Sequence, residues 1–124
     1  MWQRYISPLV LKVQRYTNCT DIDHAVILHK SIQNAAAIAL THVTPLLNRA
    51  KRMYGNRKCV AVLTELVEIA TYFVDFKVRF HCFIALQGVD KKDETRVMIA
   101  RMNRLIDDDN ENKAFYFFPF GKWH

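Results

Sequence analysis

A mainly α-helical fold, a small bundle of about four helices, is what the sequence predicts, and three observations carry it. Apolar side chains recur at helical spacing along most of the chain. Only three Gly and three Pro occur among 124 residues, which argues against a turn-rich β fold and against disorder. The stretch 57–88, RKCVAVLTELVEIATYFVDFKVRFHCFIALQG, is too apolar to lie on a surface. It must be central, with the other elements arranged around it.

That stretch fits two templates. As a helix, Glu65, Glu68, Tyr72, Asp75 and Arg79 are spaced three and four residues apart and form one polar stripe, with Asp75 one turn before Arg79. The other faces carry Val62, Leu63, Leu66, Val67, Ile69, Phe73, Phe76, Phe80 and Ile84. As a strand, residues 74–82 alternate apolar and polar, and a strand near 72–84 would make the fold α+β. The persistence of the stripe favours a long central helix over 57–87, with Gly88 just past its end.

Residues 1–20 contain Arg4, Lys12 and Arg15 and no acid. On a helical wheel Trp2, Ile6, Leu9, Val13 and Tyr16 share one side and the three cations the other. Ser7 and Pro8 suit a cap and first turn, so the helix proper is expected to start there. This is the character of a mitochondrial presequence or a membrane-surface helix, and equally of a short helix laid on a core.

Thr20, Asp21, Ile22 and Asp23 form a capping-type start. The helix that follows is expected over about 21–42, with Ile32, Ala35, Ala36, Ala39 and Val43 on its apolar stripe and Leu46, Leu47, Ala50 and Met53 continuing it. The alanines allow close approach of another backbone. Pro45 either kinks this helix or sits at the first position of a new one.

Arg49, Lys51, Arg52, Arg57 and Lys58 follow, with Tyr54, Gly55 and Asn56 as the turn between them. A cluster of this kind suits phosphate contacts of a nucleic-acid binder, or cations at a helix C-terminus. After Gly88, Asp90 can cap a helix over about 91–106, with Met98, Met102 and Leu105 facing inward and Lys92, Arg96 and Arg104 outward. Asp107, Asp108, Asp109 and Glu111 oppose the dipole at its end, so the helix is expected to stop or fray there.

The segment 112–124 contains Phe115, Tyr116, Phe117, Phe118, Phe120 and Trp123, with Pro119 and Gly121 barring a regular helix. So many aromatic side chains need cover, and aromatic anchors are what interface centres use. The chain therefore divides into a helical domain, 1–111, and an extended aromatic docking tail, 112–124.

Chemistry is harder to find. The net charge of +6 suits nucleic acid, anionic lipid or an acidic protein. The three cysteines, Cys19, Cys59 and Cys82, lack CxxC spacing and read as free thiols in a reducing compartment. Asp21 with His24, and Glu65 with Glu68, are not the Glu-x-x-His pairs of bundle metal sites. His81 and Cys82 are adjacent and point apart, and His24, His29 and His42 read as polar-face residues. No glycine-rich phosphate loop is present. Glu65, Glu68 and Asp75 interrupt the most apolar stretch, so no spanning helix is expected.

The reading is a non-enzymatic accessory subunit of a larger protein assembly, without cofactor or metal. It would dock through Trp2, Ile6 and the six tail aromatics, in a mitochondrial complex. The alternative is a nucleic-acid-binding helical module using Arg49, Lys51, Arg52, Arg57 and Lys58, in a reducing compartment such as the cytoplasm. Peripheral membrane contact through residues 1–16 and Trp123 is a third possibility.

Overall fold

The computed structural model of the chain describes residues 3–53, 57–76 and 89–111, and these are almost entirely helical. Four helices follow in order: α1 Gln3–Thr17, α2 Ile22–Met53, α3 Arg57–Val74 and α4 Val89–Glu111. α2 packs against α1 and α3, and α4 closes the set by packing against the same two. Paired side chains give the directions. Tyr5 of α1 meets His42 of α2, Gln33 of α2 reaches the Val74 carbonyl at the end of α3, and Tyr72 of α3 meets Glu94 of α4. Neighbouring helices therefore run antiparallel, and the fold is a small up-and-down bundle.

The apolar stripes meet inside, as their spacing predicts. Ile6, Leu9, Val13 and Tyr16 of α1, Ile32, Ala36, Ala39 and Val43 of α2, Leu63, Leu66, Ile69 and Phe73 of α3, and Met98, Met102 and Leu105 of α4 are all buried. The α2–α3 seam is the most extensive, and α2 brings the small buried side chains Ala35, Ala36, Ala39 and Ala50 to the core. α2 starts at Ile22, and Asp21, expected at the start of the helix, is its cap: its Oδ2 accepts from the His24 amide at 3.3 Å and its carbonyl from the Ala25 amide at 2.9 Å.

Three helices differ in their bounds from the sequence reading. α1 starts at Gln3 rather than at Ser7, and carries the exposed Pro8 within it. α2 is one helix of 32 residues that continues through Pro45 instead of stopping near His42. Proline inside a helix costs about 3 kcal/mol. Beyond it, however, Leu47 and Ala50 are buried against the core, and a single buried Leu contributes about 1.5–3 kcal/mol. Pro45 also lies on the exposed side, where water can satisfy the Thr41 carbonyl that loses its donor. Packing wins.

The third difference is α4, which starts at Val89, so that Asp90 lies inside the helix instead of capping it, and which runs on to Glu111 through the acidic run that was expected to end it. The antiparallel register supplies a reason. Glu65 lies level with Arg101 and Arg104, so the start of α3 lies level with the last turns of α4. Asp107 and Asp108 thus share an end of the bundle with the cations of the α2–α3 corner, which offset the unfavourable dipole term.

Of the long central element, residues 57–74 are helical as read, and Tyr72 and Val74 lie in α3 rather than in a strand. The proposed continuation through Arg79 and Phe80 to residue 87, the strand alternative beyond Phe76, the pair His81 and Cys82, and the turn at Tyr54, Gly55 and Asn56 lie outside the described residues. α2 is the longest described helix, and it is the one on which both α1 and α3 lean.

Candidate docking surfaces

The predicted anchors separate at once. Ile6 is 1% exposed and belongs to the core, so it serves the fold and is closed to an outside partner. The same burial of Leu9, Val13 and Tyr16 removes the apolar face through which residues 1–16 would lie on a membrane. No helix among the described residues is long and apolar enough to cross a membrane. Trp2, Phe115, Tyr116, Phe117, Phe118, Phe120 and Trp123 lie outside the described residues.

The basic corner is assembled where α2 ends and α3 begins. Lys51, Arg52 and Arg57 are exposed and Arg49 is half-buried, while Arg49 and Lys58 already have partners within the fold. Among the described residues three cations rather than five are thus left for an outside ligand, and Asp107 and Asp108 sit at the same end. The corner is a mixed field, weaker for phosphate than the sequence count suggested.

A surface that the sequence reading passed over lies on α2. From residue 31 to residue 48 there is no Asp, Glu, Lys or Arg. Part of this run faces inward, but Asn34, Ala37, Ile38, Thr41, Pro45 and Asn48 are exposed, and their spacing places them along one outward line. Ile38 is 52% exposed there. The Thr41 hydroxyl donates to the Ala37 carbonyl at 2.9 Å, so this side chain turns mostly its methyl to solvent. Lys30 and Arg52 bracket the strip at its two ends. The missing charge was legible in the sequence as a run of eighteen residues, about 27 Å of helix.

At the end of the bundle where α1 and α3 finish, aromatic rings fill the interior. Phe76 packs edge-on to Tyr16 at 5.5 Å between centroids, and lies 5.6 Å from both His29 and Phe73. His29 is 5% exposed, which corrects its reading as a polar-face residue. Its place on α2 points inward, against Phe76. Burial, with Cys19 and Tyr72 nearby, pushes the Tyr16 phenol well above the usual tyrosine range, so it stays a neutral hydroxyl. His24 and His42 are exposed as read, and His42 stacks on Tyr5 at 3.9 Å.

Cys59 is buried, and Cys19 is half-buried, its Sγ donating to the Asp21 carbonyl at 3.2 Å. Among the described residues no three His, Cys, Asp or Glu side chains are grouped to hold a metal ion.

The polar stripe of α3 proves to be a seam. The Arg101 Nε and the Arg104 Nη2 both donate to Glu65 Oε1 at 3.0 Å, and Tyr72 donates its hydroxyl to Glu94 Oε2 at 3.0 Å. Beside these contacts an open groove of about 570 Å³ runs between α3 and α4. Glu68, Tyr72, Asp93, Glu94, Val97, Met98 and Arg101 line it.

Comparison of the chain with protein-family models, with curated proteins and with solved structures found no match.

Proposed function

We propose that the chain is a non-catalytic accessory subunit of a larger protein assembly, held there by surface that the bundle does not need for itself. The observation that carries this reading is the uncharged outer strip of α2 around Ala37, Ile38, Thr41 and Pro45. A solvated helix face ordinarily carries charge, and this one carries none from residue 31 to residue 48. Depletion of charge is the compositional mark of an interface centre. The strip is too narrow for the roughly 800 Å² per partner of a stable interface, so it would form the middle of a larger contact. The aromatic composition of residues 112–124 supplies the anchor type such contacts use. A mitochondrial setting is proposed from the basic, acid-free composition of residues 1–20.

A second reading, a nucleic-acid module, keeps support from the exposed Lys51, Arg52 and Arg57. Purification of the native protein under mild conditions separates the two. A stoichiometric set of protein subunits that is lost on Ile38→Lys, with the melting temperature unchanged, is the expected result. Recovery of the chain alone, or with nucleic acid that leaves as salt rises, would overturn it.

A further inference from the structure

We propose that the groove between α3 and α4 seats a cationic segment of another protein, anchored by an apolar side chain on the groove floor. This names a partner chemistry for the interaction role above and rests on that reading, but it concerns a different face of the bundle. The floor is apolar where a helix surface is ordinarily polar: Val97 is 59% exposed, next to Met98 and the ring of Tyr72. The walls are acidic. Glu68 stands on α3, and Asp93 and Glu94 on α4, against Arg101 as the one cation among the described residues that line the groove. The Arg101 Nε is already engaged by Glu65 at 3.0 Å. Glu68 and Asp93 have no ion-pair partner among the described residues.

The groove is therefore locally anionic on a chain whose net charge is +6. Its field repels nucleic acid and anionic lipid and attracts Lys and Arg. The apolar floor asks in addition for an aliphatic or aromatic side chain. A volume of about 570 Å³ takes one or two large side chains. A short cationic peptide with one apolar anchor satisfies both requirements, and a purely apolar or purely cationic one satisfies half.

Fluorescence anisotropy tests this with the full chain and a labelled peptide of roughly ten residues, two Leu flanked by Lys and Arg. Glu68→Gln combined with Asp93→Asn is expected to weaken binding about fivefold at low salt, an effect that fades as salt rises. Val97→Ser is expected to weaken it by a similar factor at every salt concentration. All three residues are exposed or on the groove surface, and unchanged melting curves check that the variants fold. A peptide with Glu in place of Lys and Arg should not bind. Absence of binding, or equal binding to the wild type and both variants, overturns the proposal. So does binding that appears only when residues 112–124 are removed, which would give the groove to the chain's own C-terminal segment. Loss of peptide binding with the native complex intact would remove this site alone and leave the subunit reading standing.

Discussion

Tyr72 on α3 donates its phenolic hydroxyl to Glu94 on α4 at 3.0 Å, and the ring beneath that hydroxyl packs edge-on to Phe73 at 5.2 Å. One side chain thus joins the aromatic interior to the polar seam. Tyr72→Phe keeps the ring and removes only the bond. The expected loss is about 0.5–1.5 kcal/mol, read as a lower midpoint in urea with an unchanged slope. A loss above about 3 kcal/mol would mean that the hydroxyl supports more than Glu94.

Glu65 holds Arg101 and Arg104 through one oxygen, with Glu65 itself largely covered and Arg104 mostly in solvent. Pairs of this exposure are worth little singly, about 0.2–1 kcal/mol. Glu65→Gln is expected to lower stability by about 1 kcal/mol in dilute buffer, and by less in 1 M salt, where screening reaches within a few ångströms. A salt-independent loss would show that packing of the two arginine stems, not charge, is what Glu65 secures.

Pro45 was read from sequence either as lying inside one kinked helix or as the first position of a new one, and α2 continues through it as a single helix. Local propensity spoke for a stop, while burial of Leu47 and Ala50 beyond it decided for continuation. Pro45→Ala restores a donor to the Thr41 carbonyl. It is expected to raise stability, by up to about 3 kcal/mol, with a small gain in helical ellipticity at 222 nm. Destabilisation on this substitution would show that the proline shape itself is needed at the α2 surface.

Much of the bundle was legible because the period of 3.6 is strict where one face is buried. Ile6, Leu9, Val13 and Tyr16 fall on one side of α1 by spacing alone, and they are buried together. What sequence cannot carry is the partner across a seam. Glu65 reads only as one member of a polar stripe until α4 brings Arg101 and Arg104 to it, and Ile6 reads as an anchor until the core claims it. His29 misled because histidine is ordinarily at the surface, whereas its register on α2 turns it toward Phe76. The uncharged strip of α2 was present in the letters as a missing residue class. It escaped notice because helical stripes are sought by what they contain.

The Tyr16 phenol, buried at the same end, makes a prediction whose sign is fixed. Its pKa is raised in the fold, first by burial and then by Cys19 and Tyr72. The unfolded chain would release that proton at the ordinary value, near pH 10. Below that value both states hold the proton and the fold has its full stability. Above it the folded state alone retains the proton, so unfolding becomes more favourable as pH climbs. Alkaline titration followed by tyrosinate absorbance at 295 nm should therefore leave one phenol un-ionised after the exposed ones have titrated. It should appear only with the loss of helical signal. Substituting Phe at position 16 should delete this late step and make unfolding less sensitive to alkaline pH. Smooth ionisation of every tyrosine around pH 10 with the helices intact would remove Tyr16 from the interior.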